Sequence, residues 1–568
     1  MRWPDLALAV VVAMVVLGPL VLDRGFILVG DMVFVPDQPW KDAWTGGDGG
    51  VPRAVPGDAW VSLLDSVLPG AVLQRLILLA TLIGAALGMS RLTAGLSFGA
   101  RAAGAVLFVW NPYVFERLAI GHWALLCGYA ALPWVLDAAL KLRREDASPR
   151  VWLHLLLPLA VAGWASPTGG VLAVMVALAF TLSRWRRAAA VLALGLWVNL
   201  PWIVPAFGNG ADQLSPDAFG VAVFATRSDT PWGLLASALT SGGIWKESIL
   251  PADRANTWLS LVSLAILALA VWGLLSRRGR VLLPPLPTAL LAGTALVLAL
   301  VGAVELTRPL LEWTVLHVPG GGLLRDGQKW LAPWVLVACV GFAVTVERLG
   351  ELTARRAPQS RNWVVSLALL PVMALPSLAF GLGGFLSADE FPEQWFEMRQ
   401  EMEQLDLAEE LVVVLPFSTY RRFDWTPRTI LDPAPRFFPG RMVTEDALTT
   451  RQGTVGGESA LAARVRATSD GDELAQVLSE GGVRWALVHR SSDPGPTPTG
   501  ATVVSAGDQV SLLKLPSPVA EPAYAGHWRP TTYAVLDLVV LSSVALTLCS
   551  AMWARGRNAG YRRVLCKQ

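Results

Sequence analysis

The chain alternates long apolar runs with short polar segments over most of its length. A run of about 20 apolar residues can span the hydrocarbon core of a bilayer as one α-helix. The pattern predicts twelve spans, near residues 6–22, 71–89, 98–114, 123–140, 152–165, 167–183, 188–206, 257–275, 285–304, 330–347, 363–383 and 531–553. The sequence therefore predicts a polytopic α-helical membrane protein with about 12 transmembrane helices.

A helical period of a different kind appears between the first two spans, over residues 57–68. The apolar positions of this period are Trp60, Leu63, Leu64, Val67 and Leu68, and the polar positions are Asp58, Ser62, Asp65 and Ser66. The two sets lie on opposite faces of a helix. We expect this amphipathic helix to lie flat on the membrane surface.

Basic residues collect in alternate loops, which predicts the orientation of the chain because positively charged loops stay in the cytoplasm. The clusters fall near residues 91–101, 141–150, 184–187, 277–280, 348–361 and 555–563. Placing them inside puts both termini in the cytoplasm. It puts the long loops outside, at 23–70, 207–256, 305–329 and 384–528. We therefore expect a multi-pass protein of the plasma membrane that works on its exoplasmic face.

The last of these loops has the pattern of a small α/β domain of about 140 residues. Residues 411–416 form a short apolar run typical of a buried strand, 471–480 a helix, and 483–488 and 502–515 further strands. The chain then divides into a transmembrane module at 1–383 with eleven helices, an exoplasmic α/β domain at 384–528, and a last helix with a cytoplasmic tail at 529–568.

Composition supports the membrane assignment and excludes other classes. The chain is 54% hydrophobic and 16% charged, with a mean hydropathy of +0.49, which is more apolar surface than a soluble protein can bury. A net charge of +2 does not favour a nucleic-acid partner. The sequence has no P-loop, no dinucleotide-binding glycine motif and no serine-hydrolase signature, so nothing supports soluble nucleotide chemistry.

The first long loop, residues 23–70, carries two carboxylates soon after the first span. Asp31 and Asp37 stand six residues apart in a segment broken by proline. One carboxylate could act as a general base on an acceptor hydroxyl, or both could hold a divalent cation, Mg²⁺ or Mn²⁺, beside a phosphate leaving group. The alternative is that both belong to an ordinary solvated loop.

A second polar cluster lies at the turn between the third and fourth spans, where Glu116, Arg117 and His122 meet two apolar runs. Ionisable groups at a membrane boundary are costly unless they are paired or hydrated. These three residues are candidates for binding substrate. It is equally consistent with the sequence that they pair with one another and fix the helix ends.

A third cluster precedes the tenth span, where the run 319–322 of proline and glycine leads to Arg325 and Lys329. Glycines let backbone amides approach an anion, and two basic side chains could grip a phosphate. Both charges lie on the predicted outer side, against the trend of the other basic clusters. The alternative is a flexible loop with two interfacial anchors.

Tryptophan occurs 25 times, often at predicted outer ends of helices. Most of these residues are expected to form interfacial belts. Flat indole rings also stack on sugars, and Trp40 and Trp330, which belong to the first and third clusters, are candidates for substrate contact.

These features together resemble the GT-C superfamily of polytopic glycosyltransferases, which take sugars from polyprenyl-phosphate donors on the exoplasmic face. The resemblance rests on the acidic first long loop with Asp31, the surface helix at 57–68 and the late soluble domain. More narrowly, the chain is similar to actinobacterial arabinofuranosyltransferases and YfhO-like membrane proteins. Comparable segments recur there in the same order, namely Asn111-Pro112-Tyr113, Gly121-His122, Gly128-Tyr129, Pro133-Trp134, Leu324-Arg325-Asp326 and Lys329-Trp330. The resemblance implies that Asp31 is the catalytic base, with Asp37 as the second candidate.

The leading hypothesis is an exoplasmic glycosyltransferase that moves a sugar from a polyprenyl-phosphate donor to a cell-envelope glycan or glycolipid. Asp31 would act as base, Arg325 and Lys329 would hold the lipid phosphate, and the domain at 384–528 would position the acceptor. Two alternatives stay open. One is a catalytically silent assembly or binding protein of the cell envelope. The other is a lipid or glycolipid transporter, although few ionisable residues fall within the spans and no internal repeat is evident.

Overall fold

A computed structural model describes residues 2–50, 52–144, 148–209, 214–356, 366–490, 495–516 and 530–565, with side chains described except at 356 and beyond 547. The end of the predicted outer segment, at 517–528, and the last residues of the tail lie outside these ranges. The helices are α1 (Trp3–Leu17), α2 (Gly57–Asp65), α3 (Gly70–Leu92), α4 (Phe98–Val109), α5 (Pro112–Ala119), α6 (Trp123–Leu142), α7 (Pro149–Ala165), α8 (Pro167–Thr181), α9 (Trp185–Gly208), α10 (Phe219–Val223), α11 (Gly233–Leu239), α12 (Ala252–Ala255), α13 (Thr257–Leu275), α14 (Arg277–Leu282), α15 (Pro285–Leu300), α16 (Arg308–His317), α17 (Ala332–Arg356), α18 (Leu370–Ala374), α19 (Ala379–Gly383), α20 (Glu393–Gln404), α21 (Ala434–Phe437), α22 (Ala460–Arg466), α23 (Gly471–Glu480) and α24 (Pro530–Leu565).

The protein is a multi-pass helical membrane protein. Within the described ranges seven segments are long and apolar enough to cross a bilayer, namely Trp3–Val21, Gly70–Leu92, Trp123–Leu142, Trp185–Gly208, Thr257–Leu275, Gly327–Arg355 and Pro530–Thr547. An eighth span is possible if the pair Ser366–Ala374 and Pro376–Gly383, bent by 83°, crosses as one. Two shorter apolar helices, α8 and α15, add to these. The predicted count of about 12 spans is therefore not confirmed.

The third predicted span, near 98–114, is not one helix. It ends as α4 at Val109, and α5 begins at Pro112 after Asn111, whose side-chain oxygen accepts a hydrogen bond from the amide of Val114 at 3.0 Å. A capping asparagine followed by proline starts a new helix, and the resulting break sets α5 apart from the apolar run.

The beginning of the first long loop is buried rather than solvated. All but one of residues 26–35 are buried, and Asp31 is only partly so. The side chain of Gln74 on α3 hydrogen-bonds both the amide and the carbonyl of Ile27, at 2.9 and 2.7 Å. These bonds satisfy backbone groups that burial would otherwise leave unpaired.

Helix α2 follows the predicted period and turns its polar face inward. Asp58, Ser62 and Asp65 are 3%, 6% and 7% exposed, whereas Leu63 and Leu64 are 50% and 44% exposed. The carboxylate of Asp65 accepts the amide of Gln38 at 2.6 Å. The apolar side chains thus face away from the protein, as a helix on a membrane surface requires.

Eleven short strands occur in the described chain. They are β1 (Phe26–Ile27), β2 (Ala388–Asp389), β3 (Leu411–Leu415), β4 (Tyr420–Arg422), β5 (Thr429–Leu431), β6 (Arg441–Val443), β7 (Leu448–Thr450), β8 (Gly453–Val455), β9 (Trp485–His489), β10 (Thr502–Ser505) and β11 (Val510–Lys514). Five of them form a mixed sheet in the order β10-β11-β9-β3-β6, with β3 parallel to β6 and β9. We call residues 388–514 the sheet domain. Its main strands and α23 coincide with the segments expected from the sequence.

The sheet domain packs onto the membrane helices through a continuous apolar core. Trp395 of α20 is fully buried among aromatic rings, and Phe391 makes an edge contact with Phe26 of the first long loop at 5.5 Å between ring centroids. Strand β1 of the loop pairs antiparallel with β2 of the domain. The first long loop is thereby held between the two parts of the molecule.

Candidate active site

Two glycines bring the first long loop against the turn between α5 and α6. Gly30 and Gly121 both have positive φ, +50° and +87°. A Cβ at Gly30 would lie 2.1 Å from the carbonyl oxygen of Ile120, and one at Gly121 would lie 2.2 Å from that of Val29. No other residue type fits this approach. The amide of Asp31 donates to the carbonyl of Ile120 at 3.0 Å, which places its carboxylate beside His122.

Asp31 accepts hydrogen bonds on both carboxylate oxygens. His122 Nε2 lies 3.1 Å from Oδ2, and the hydroxyl of Tyr420 donates to Oδ1. Tyr420 opens strand β4 of the sheet domain, whose partner strand β5 contacts the loop through the amide of Leu431 and the carbonyl of Gly30 at 2.8 Å. The carboxylate is 38% exposed, so an incoming hydroxyl can still reach it.

Arg117 fixes the tautomer of His122. One guanidinium N–H of Arg117 lies 2.9 Å from His122 Nδ1. Because a guanidinium can only donate, Nδ1 must accept, and the ring proton is on Nε2 and donates to Asp31. Burial lowers the pKa of His122, which keeps the ring neutral at pH 7.

The hydrogen bonds keep Asp31 charged. Burial alone would raise the pKa of Asp31, but hydrogen bonds from His122 and Tyr420 and the charge of Lys329 outweigh it and hold the pKa below its usual range. The carboxylate is therefore ionised at neutral pH and ready to accept a proton.

A buried polar network supports the histidine. Arg117 has no exposed side-chain area and pairs with Asp326 at 2.7 and 3.0 Å, and it also donates to Gln328. Gln328 donates in turn to Glu116 at 2.9 Å. The Arg117 charge holds the pKa of Asp326 well below its usual range, although burial opposes it. Asp326 thus compensates the charge of Arg117, and Arg117 holds His122 in position.

Glu116 organises a loop that sequence reasoning did not single out. It accepts the amides of Gly243 and Ile244 at 3.3 and 3.1 Å. Burial and the nearby charge of Asp229 raise the pKa of Glu116 well above its usual value. Lys246 follows Ile244 by two residues, and its ammonium group is close enough to the Asp31 carboxylate for the two charges to interact. Burial lowers the pKa of Lys246, and among the described residues no hydrogen bond or ion pair engages its ammonium group.

Lys329 is the second lysine at the site. Its carbonyl accepts the hydroxyl of Tyr113 at 3.1 Å, and its ammonium lies 3.6 Å from Asp326 and close enough to Asp31 to act on that carboxylate. Lys246 and Lys329 thus both lie within electrostatic range of Asp31, and either ammonium group can contact an incoming anion.

The other candidates lie elsewhere. Asp37 is on the surface, 79% exposed, with one carboxylate oxygen 3.2 Å from Arg399 of the sheet domain. Arg325 pairs with Glu458 at 3.2 Å. Trp330 is buried and Trp40 is 48% exposed beside a cleft described below. The structure therefore brings together Asp31, Glu116, Arg117, His122 and Lys329, whereas Asp37 and Arg325 form ion pairs with residues of the sheet domain and Trp40 lines the cleft.

The residues present do not fit a divalent cation held by two carboxylates. Asp31 already receives two hydrogen bonds, and Asp37 pairs with Arg399. Across the described residues, no group of three His, Cys, Asp or Glu side chains is arranged to hold a metal ion. Positive charge at the site comes instead from lysine.

Tyr420 and Lys246 are the residues that the sequence did not reveal. Tyr420 lies 389 residues from Asp31, so no local pattern could connect them. Lys246 had a signal, because it is a lone lysine in the predicted outer loop 207–256 and runs against the charge trend just as Arg325 and Lys329 do.

The chain matches known proteins through its three-dimensional structure. No family model and no curated protein matches the chain. The cryo-EM structure of arabinofuranosyltransferase AftD from Mycobacteria superposes with a TM-score of 0.59 at 17% identity, over 92% of this chain and 40% of that one. A mutant of the same protein gives 0.55 at 15% identity, over 92% of this chain and 42% of that one.

The chain has the GT-C fold. It spans about 40% of the length of the mycobacterial enzyme that it matches. The crystal structure of ArnT from Cupriavidus metallidurans gives a TM-score of 0.33 at 14% identity, over 90% of this chain and 97% of that one, which is too low for a shared fold to follow from it. The GT-C expectation from the sequence is thus confirmed at the level of the fold.

Proposed function

We propose that the protein is a glycosyltransferase that moves a sugar from a polyprenyl-phosphate donor to a cell-envelope glycan or glycolipid on the exoplasmic face. The observation that carries this proposal is an ionised, partly exposed Asp31 flanked by two available lysines. The fold it shares with an arabinofuranosyltransferase supports the reaction class and makes an arabinofuranosyl donor the first to test.

The charges around Asp31 suit a phosphodiester. Arg117 and Asp326 cancel each other, and Lys246 and Lys329 bring two positive charges against the single negative charge of Asp31. A lipid phosphodiester has one negative charge, which the second lysine would match. Lys246 and Lys329 therefore replace Arg325 and Lys329 as the residues that we assign to the lipid phosphate.

The reaction keeps this balance. The acceptor oxygen forms a bond to the anomeric carbon with inversion, and the bond from that carbon to the phosphate oxygen breaks. The acceptor proton passes to Asp31, and the phosphate leaves with the electron pair as a monoester of charge near −2. With Asp31 then neutral, the two lysines match the charge of the leaving group. General base catalysis of this kind contributes about 10²- to 10⁴-fold in rate.

Proton transfer through Asp31 also explains the supporting residues. His122 orients the carboxylate and keeps it ionised, and Arg117 holds His122 in the tautomer that donates to Asp31. Tyr420 donates the same kind of hydrogen bond that an acceptor hydroxyl would donate. We therefore expect the acceptor hydroxyl to approach Oδ1 of Asp31, the oxygen to which the Tyr420 hydroxyl donates.

The test uses the full chain in nanodiscs with a panel of radiolabelled polyprenyl-phosphate sugars. Asp31→Asn keeps the shape of the side chain but removes the proton acceptor, so transfer should fall by about 10²- to 10⁴-fold. The matched control is Asp37→Asn, which changes an exposed carboxylate in the same loop and should leave the rate nearly unchanged.

A second arm examines the phosphate. Lys246→Met should raise KM for the donor about tenfold, since a hydrogen bond to a charged group contributes about 1.5–3 kcal/mol. Lys514→Met, at the end of strand β11 in the sheet domain, is its control. Normal transfer by a folded Asp31→Asn protein would refute the base assignment. If the folded wild type turns over no donor of the panel, the result contradicts the transferase proposal and favours the alternatives of an assembly or binding protein or a lipid or glycolipid transporter.

A further inference from the structure

A large cleft lies between the later part of the first long loop, residues 39–58, and the sheet domain. Its volume is about 630 Å³, which lies within the range of about 300–1,000 Å³ typical of ligand sites. One wall is formed by Trp40, Asp42 and Asp48 of the loop, and the other by Glu409 and Arg441 of the domain. This cleft is distinct from the network around Asp31, and no residue of that network lines it.

The cleft nevertheless leads to Asp31. Thr419 and Leu431 line it, and each belongs to the connection that reaches the carboxylate. Tyr420, next to Thr419, donates to Asp31, and the amide of Leu431 donates to Gly30 at 2.8 Å. A molecule lying in the cleft would therefore contact the segment that carries Tyr420 and the strand that contacts Gly30.

Charge in the cleft disfavours an anion. Several of its charged groups are already paired, for example Arg53 with Asp446 at 3.3 Å and Arg436 with Asp58 at 2.9 Å. Among the described residues, the charged groups of the cleft that form no ion pair include more acids than bases, namely Asp42, Asp48 and Glu409 against Lys41 and Arg441.

The titration of these groups points the same way. Burial, and then the charge of Arg399, lowers the pKa of Lys41 to about 7, so this lysine contributes only part of a charge at neutral pH. Burial and the neighbouring Glu409 raise the pKa of Asp42. A further anion would add to this repulsion, whereas a sugar hydroxyl can donate to a carboxylate and accept from a lysine or arginine.

Trp40 supplies a flat surface for a sugar ring. Its side chain is 48% exposed within the cleft, while the neighbouring Trp44 is buried and its indole N–H donates to the carbonyl of Pro39 at 2.9 Å. Trp44 thus supports the loop, and Trp40 remains available. A half-exposed indole among carboxylates has the amphipathic character that suits a carbohydrate, apolar on its face and polar around its edge.

We propose that this cleft binds a neutral oligosaccharide, the acceptor of the transfer reaction, with Trp40 as its stacking platform and Asp42 and Asp48 as hydrogen-bond partners. This inference rests on the proposed function for its role, but the binding itself does not need the chemistry at Asp31. The acceptor hydroxyl would lie at the Tyr420 end, and the rest of the chain of sugars would extend along the cleft toward Trp40.

The test is saturation-transfer NMR on the full chain in nanodiscs. The probes are short neutral fragments of arabinan, galactan and mannan, with oligogalacturonate as the anionic counterpart. At least one neutral fragment should bind and oligogalacturonate should not. Trp40→Ala should weaken binding about 5- to 10-fold, in keeping with one lost ring contact. Trp40→Tyr should restore most of it. Trp313→Ala removes another half-exposed tryptophan, which does not line the cleft, and should have no effect.

Kinetics separate this proposal from the proposed function. Trp40→Ala should raise KM for the acceptor and leave hydrolysis of the donor by water intact, whereas Asp31→Asn should abolish transfer and leave oligosaccharide binding intact. Equal binding by Trp40→Ala and Trp313→Ala, preference for oligogalacturonate, or no binding of any probe by the wild type would each overturn the cleft assignment. Binding that survives while no donor is turned over would instead refute only the transferase.

Discussion

Hydrogen bonds on one carboxylate set the pH at which this site can work. A general base acts only when it is deprotonated, so the rate falls as the pH drops through its pKa. In Asp31 the bonds from His122 and Tyr420 hold that pKa below the usual range despite burial. The acid limb of the pH–rate profile should therefore lie well below neutral pH, and removing either bond should move it upward.

Tyr420→Phe tests this with the loss of one oxygen. Without its hydroxyl the pKa of Asp31 rises, so we expect the acid limb of kcat/KM to shift to higher pH by up to about one unit, which corresponds to a hydrogen bond of about 1.4 kcal/mol. Donor hydrolysis followed from about pH 2 to pH 7 measures it, because the pKa of Asp31 is lowered to about 2. Tyr533→Phe, whose hydroxyl bonds Asn209 instead, should leave the profile in place. A limb that does not move in Tyr420→Phe would mean that another group titrates.

Helix α2 shows what an amphipathic sequence period can and cannot predict. The period gave the helix and its two faces correctly, but it could not tell which partner the polar face would meet. Asp58 meets Arg436, 378 residues away, and Asp65 caps the turn at Gln38. Both partners come from the tertiary fold, so the carboxylates point inward, where local sequence gave no reason to place them.

The exposed apolar face of α2 should lie in the lipid interface. Nitroxide labels at Leu63→Cys and Val67→Cys, where the wild-type side chains are 50% and 80% exposed, should show higher accessibility to molecular oxygen than to a water-soluble nickel complex, since oxygen partitions into lipid. A label at Gln452→Cys, on the sheet domain, should show the reverse. Water-like accessibility at both helix positions would place α2 away from the membrane.

At the scale of the whole molecule, long-range contacts account for what the sequence could not give. Apolar periodicity located the membrane helices and the main strands, because buried positions recur along each element with its own period. It could not give the number of spans, since breaks such as the one before Pro112 divide an apolar run without changing its composition. The site divides in the same way. Asp31, His122 and Lys329 stand out locally, whereas Tyr420 depends on where a distant hairpin docks.

That docking depends on a few ion pairs between the loop and the sheet domain, and a charge swap tests their weight. Arg436 and Asp58 form a mostly buried pair at 2.9 Å, with side chains 14% and 5% exposed. Asp58→Arg alone leaves two buried cations facing each other, which should cost about 3–5 kcal/mol of stability and reduce transfer as Tyr420 loses its place.

Asp58→Arg with Arg436→Asp should recover most of both losses, because the pair is restored with its signs exchanged. Arg53 and Asp446 join the same two parts at a more exposed position, where Arg53 is 50% exposed, so the reversal Arg53→Asp should cost no more than about 1 kcal/mol. Thermal unfolding and transfer rates in nanodiscs give both quantities. Equal effects of the two single reversals would show that the buried pair does not hold the sheet domain against the loop, and that its apolar core alone brings Tyr420 to Asp31.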